Sequence, residues 1–141
     1  MKLKFIITIL FSCFITAAIA QPAKTGNGYV QVTQVSRTKD ADENITYAIN
    51  AIWKQNATPE NIFFRAEDVW QGCLVEKDGV EMSPEKIKKG DRITFRSVSG
   101  GKYAMPAQLK KLPTPSLFFQ VDKRWYYMPV RNIATTSGRG K

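Results

Sequence analysis

The chain has 141 residues, with 21 Lys or Arg against 12 Asp or Glu, two cysteines and no histidine. The missing histidine excludes Ser-His-Asp and Cys-His nucleophile arrangements and every zinc site that needs an imidazole. An apolar fraction of 43% places the chain with globular proteins rather than disordered ones.

The first twenty residues read as a secretory signal peptide. Lys2 and Lys4 give the positive start, and Phe5 to Ile15 is an apolar run broken by Thr8, Ser12 and Cys13. Ala18-Ile19-Ala20 then forms a small-x-small cleavage site before Gln21. The run is shorter than the roughly 20 apolar residues of a membrane-spanning helix. Leu10-Phe11-Ser12-Cys13 fits a lipoprotein cleavage site poorly, because Phe11 is bulky and apolar residues follow Cys13. Cleavage after Ala20 is therefore expected, with no lipid anchor at Cys13. The expected product is one secreted or periplasmic domain of 121 residues carrying 19 basic and 12 acidic side chains, net +7. Cys73 is its only cysteine, so no internal disulfide forms, and the residue reads as a small buried hydrophobe.

Residues 21–28 are small and polar and read as a flexible lead-in. Tyr29 to Arg37 carries Val30, Val32 and Val35 among polar residues; the change from even to odd positions predicts a bulged strand. After the charged turn Lys39–Asn44, the residues Ile45, Tyr47, Ile49, Ala51 and Trp53 alternate with polar ones, giving a half-buried strand paired as a hairpin with its predecessor. Further strands are predicted at Ile62–Phe64, at Val69–Glu76 up to the Lys77-Asp78-Gly79 turn, and at Arg92–Val98. Ser83-Pro84-Glu85 reads as the start of one helical turn stopped by Gly90. Residues 103–116 contain Pro106, Pro113 and Pro115 and read as an irregular crossing. Leu117–Val121 and Arg124–Val130 form a last hairpin, and residues 135–141 a disordered basic tail. About seven or eight short antiparallel strands predict an all-β domain over residues 29–134. A small β-sandwich of general immunoglobulin-like layout is expected, with a small barrel as the alternative.

Charge is divided along the chain. Residues 21–85 hold 6 basic and 10 acidic side chains, whereas residues 86–141 hold 13 basic ones against Asp91 and Asp122 alone. Such a basic half points to an anionic polymer, a lipid headgroup or an acidic envelope protein as partner. The last hairpin carries the most suggestive constellation. A two-residue turn at Asp122-Lys123 pairs Val121 with Arg124, Phe119 with Tyr126, and Leu117 with Met128. One face is then a core face, and the other carries Phe118, Gln120, Trp125 and Tyr127 between Lys123 and Arg131. Aromatic faces stack on sugar rings or bases, and cations hold anionic groups. The crossing at 103–116, with Tyr103, Met105, Leu109 and Leu112, is the element that would cover this face. The predicted binding residues are Lys123, Arg124, Trp125, Tyr127 and Arg131, supported by Arg92 and Arg96.

Other chemistry is weakly encoded. Asp40-x-Asp42-x-Asn44 has calcium-loop spacing, but Ile45 stands where glycine is needed, so it reads as a hairpin tip. No cofactor or metal is implied. The expected function is an exported, non-catalytic binding module. Its alternatives are a structural subunit of an envelope assembly, joined through an edge strand or Cys73, and a hydrolase using two carboxylates.

Overall fold

The computed structural model describes residues 22–67 and 69–137; the segment expected to be a signal peptide and the last four residues lie outside them. Among the described residues ten strands are formed: β1 (Lys24–Thr25), β2 (Val30–Lys39), β3 (Ile45–Trp53), β4 (Glu60–Ala66), β5 (Val69–Lys77), β6 (Val80–Met82), β7 (Arg92–Ser97), β8 (Ser116–Val121), β9 (Arg124–Pro129) and β10 (Ala134–Ser137). They make one sheet in the order β1-β9-β8-β4-β5-β7-β3-β2-β10, with β6 attached to β5. β1 runs parallel to β9 and β10 parallel to β2; the other pairs are antiparallel.

The architecture is a mixed, strongly curled half-barrel and not the expected antiparallel sandwich. The physical reason is that both layouts bury alternate residues of each strand, so alternation does not separate them. A sandwich covers its apolar face with a second sheet. Here the single sheet curls until its own far strands meet. The lead-in and tail also differ from expectation. Lys24–Thr25 lies along β9 and Ala134–Ser137 along β2. These short polar segments carry no alternating apolar pattern to mark them as strands, and they extend because two sheet edges offer them main-chain partners.

The concave face is the main core. Val30, Val35, Tyr47, Ile49, Ala51 and Trp53 from β2 and β3 face Phe64, Leu117, Phe119 and Val121 from β4 and β8. Rings join the two sides. Tyr29 lies 4.8 Å from Tyr126 and 5.9 Å from Trp53, Trp53 lies 5.5 Å from Phe119, and Tyr47 lies 4.8 Å from Phe64. Gly26 is buried under these rings; a Cβ there would sit 2.8 Å from Phe119 Cζ, so no larger residue fits without displacing the ring.

The turns follow local rules. Lys77 pairs with Val80 across Asp78 (φ 54°) and Gly79 (φ 80°), and Val121 pairs with Arg124 across Asp122 (φ 51°) and Lys123 (φ 66°). Both are two-residue hairpin turns whose positive φ angles match the right-handed strand twist. The second fixes Phe119 opposite Tyr126 and Leu117 opposite Met128, as predicted. The β2–β3 register shifts between Val32 and Gln34, which is the predicted bulge. Ser83-Pro84-Glu85 does open one short helical turn, Pro84–Lys86, although the Ser83 side chain makes no cap bond.

A second, smaller core sits on the convex face of β4, β5 and β8. Phe63 stacks on Trp70 with centroids 4.6 Å apart, Tyr103 meets Phe63 edge-on at 5.1 Å, and Trp70 lies 5.5 Å from Phe118. Residues 103–115 cross here, with Leu109 fully buried. Arg65 Nη1 donates to the Lys110 carbonyl at 3.0 Å and holds the crossing down.

The concave ring contacts set an expected stability ranking. Phe119→Ala removes a fully buried ring from both sides of the curl and should cost about 3–5 kcal/mol, against less than about 0.5 kcal/mol for Val80→Ala at an exposed site. Urea midpoints of the two variants measure this directly.

Candidate binding surface

The seven predicted binding residues do not form one patch. Trp125 and Tyr127 point to the convex face of β9, alternating with Tyr126 and Met128, which pack against the main core. Arg124 has the opposite parity: it pairs with buried Val121 on the concave side, and its Nε is enclosed without a hydrogen-bond partner. Lys123 occupies the turn before β9, and Arg131 follows its far end, roughly 20 Å away along a six-residue strand. Arg92 and Arg96 lie on β7, separated from β9 by β8, β4 and β5, which is about 19 Å across the sheet. Arg96 Nε is held by Glu76 Oε2 at 3.0 Å.

The aromatic row is closed along part of its length. Phe118 is fully buried, Trp125 and Tyr127 are half-buried, and Trp125 approaches Phe63 at 6.5 Å. The cause is the crossing, which uses this face as its own small core.

One end of the half-barrel gathers what the sequence keeps apart. A cleft of about 460 Å³ is lined by Asn56, Ala57, Thr58, Glu60, Val121, Asp122 and Lys123. The Asn56 carboxamide oxygen accepts the main-chain N–H of Lys89 at 3.2 Å, which brings exposed Lys88 and Lys89 to the same end as Lys123. That lysine turn is held firmly. Trp53 N donates to the Asp91 carbonyl at 2.9 Å, and Gly90 N donates to the Trp53 carbonyl at 2.7 Å. The Asp91 carboxylate accepts the Lys88 N–H at 2.9 Å and the Lys77 ammonium at 3.1 Å. The Lys88 N–H first, and Lys77 after it, hold the Asp91 carboxyl below its ordinary pKa. The pKa of the Tyr29 phenol is raised, chiefly by its hydrogen bond with Tyr126, then by burial and nearby charge including Asp122.

A second cleft, of about 340 Å³, opens on the convex face. Phe63, Leu74, Pro84, Val98 and Tyr103 make its apolar walls, with Asn61 and Glu60 at one side and Gly72 at the floor. Glu60 lines both clefts. The β4 strand carries a register shift between Glu60 and Phe63, with Asn61 at φ 48° and its side-chain amide bonded to Gln120. Bulges of this kind re-aim side chains at strand ends. Sequence reasoning missed Asn56, Thr58 and Asn61, because their role rests on a neighbourhood created by β4, β8 and the 83–91 loop together.

Cys73 lines the convex cleft but its thiol is enclosed, and burial pushes its pKa well above the ordinary thiol value. The Asp40 carboxylate accepts the N–H groups of Asp42 at 2.8 Å and Asn44 at 2.9 Å, the geometry of a hairpin tip. Among the described residues no group of three or more His, Cys, Asp or Glu side chains is placed to hold a metal, and no helix is long and apolar enough to cross a membrane. No family model matches the chain, and no curated protein or solved structure matches it either.

Two measurements check these environments. Cys73 should stay unlabelled by a thiol reagent at pH 8 in the folded protein and react at once in denaturant, since the thiolate is the reactive form. Asp91 has a lowered folded pKa, so the stability it contributes is present above about pH 4 and lost as the pH falls through the folded value. Asp91→Asn should therefore flatten the acid limb of a stability-against-pH curve while lowering the plateau above it.

Proposed function

We propose that this protein is an exported, non-catalytic binding module that takes an anionic, hydroxyl-rich ligand such as an acidic polysaccharide or a glycolipid headgroup. One observation carries the reading: Lys123 lines a polar cleft at one end of the half-barrel, and the Lys89 main chain, remote in sequence, is bonded to Asn56 of the same cleft, which brings Lys88 and Lys89 to that end. The lysines supply charge for sulfate, phosphate or carboxylate groups. Asn56, Thr58, Glu60 and Asp122 supply donors and acceptors for hydroxyls. The Arg92–Arg96 pair contributes less, because Glu76 already engages Arg96. An exposed site of this kind gives affinity that falls as salt rises.

A carboxylate-pair hydrolase is the second reading, and one observation favours it. Glu60 and Asp122 line the same cleft, and such chemistry needs two acids facing one cleft. Release of reducing ends from the bound polysaccharide, abolished by Glu60→Gln, would establish it over simple binding.

The test of the main reading is retention on a sulfated-polysaccharide resin across a salt gradient. A Lys88→Ala/Lys89→Ala/Lys123→Ala variant should elute at clearly lower salt than wild type, whereas Arg92→Ala should shift elution little. Equal elution of wild type and the triple variant would overturn the assignment.

A further inference from the structure

The half-barrel stops short between β2 and β9. β3 pairs along one side of β2 over its whole length, but β10 covers the other side only from Ser36 to Lys39. Among the described residues no strand lies on that side from Gln31 to Val35, and no main-chain hydrogen bond to a turn or loop leaves this stretch. The opposite rim is covered by β1 at Tyr126 and Tyr127 alone. Its last strand residue, Pro129, has no N–H to offer. Between the rims lies a cleft of about 390 Å³ lined by Val32, Thr33, Gln34 and Val35 on one side and by Met128 to Asn132 on the other.

We propose that this seam is a strand-addition site: an extended segment of a partner polypeptide pairs with the free edge of β2, and Arg131 selects an acidic residue within it. The unpaired edge repeats a donor and acceptor every second residue. Another extended main chain carries that repeat, and a sugar or a lipid headgroup does not. The edge is known to take a strand, because β10 already lies on its other half, in parallel, through residues as small as Ala134 and Thr135. Pairing there rests on the main chain. Five open residues make about 17 Å of strand. Pro129 blunts the facing rim, so the pairing falls on β2. Side chains pointing inward from the added strand meet Val32 and Met128, both half-buried against the main core, which favours small apolar residues. Side chains pointing outward meet Arg131, which is exposed and makes no ion pair among the described residues. The site is separate from the cationic end, so the two assignments stand or fall independently.

The experiment is selection of a displayed library of random seven-residue peptides on the immobilised mature chain, with Arg131→Glu as the second bait. Enrichment on wild type of sequences alternating small apolar residues with Asp or Glu is expected, shifting towards Lys or Arg on the variant. The best wild-type peptide should move the amide resonances of Gln31 to Val35, and N-methylation of alternate amides in that peptide should cut its affinity at least tenfold. No enrichment, resonance shifts elsewhere, or undiminished binding of the N-methylated peptide would overturn the proposal. So would self-association of the chain through these same amides, which would make a second copy the occupant.

Discussion

The contact of Tyr29 and Trp53 with Phe119 and Tyr126 is the interaction on which the rest of the structure depends. These rings come from opposite limbs of one sheet, and they meet only if the sheet curls. Aromatic pairs contribute roughly 0.5–1.5 kcal/mol each beyond the area they bury. The larger effect is that the limbs bury one another, so no second sheet is required. Gly26 belongs to the same constraint: its bare Cα lets the chain pass over the rings from β1 into β2.

Once the sheet is curled, the strand order interleaves the two halves of the chain. β7 lies between β5 and β3, and β8 lies beside β4. The ion pair Arg96–Glu76 joins a cation of the basic half to an acid of the acidic half. The charge division along the sequence is therefore partly neutralised in space. Among the cations left without an ion pair in the described residues are the lysines of the 83–91 loop and the last hairpin turn at one end, and Arg131 at the seam. The same curl leaves the seam itself, because the limbs meet through side chains before their edges meet through hydrogen bonds.

The convex face shows how a local pattern can be right and its use still undecided. Alternation put Phe118, Trp125 and Tyr127 on one side of the last hairpin, and that is where they are. The crossing then closes part of that face, with Leu109 and Phe118 buried and Arg65 bonded to the Lys110 carbonyl. An extended apolar patch in water is unfavourable, and a proline-rich segment with Tyr103, Met105 and Leu109 is a ready cover for it. The open remainder is the smaller cleft beside Tyr103.

The register and core face of the last hairpin, the bulge in β2 and the turns at Lys77-Asp78-Gly79 and Asp122-Lys123 were legible in the sequence, because each depends on neighbours close in the chain. The cationic end was half legible: both lysine groups were visible, but nothing in the spacing tied Lys88 and Lys89 to Lys123. Their meeting is made by Asn56, a loop residue whose partner is 33 positions away. The sequence by itself determined an all-β chain, its turns and which side of each strand is apolar, since those follow from backbone sterics and alternation. Tertiary packing alone set that a single sheet would curl into a half-barrel, which side chains would share an end, and where an edge would be left open. Those outcomes depend on burying apolar surface between strands far apart in the chain, and local pattern does not specify which strands these are.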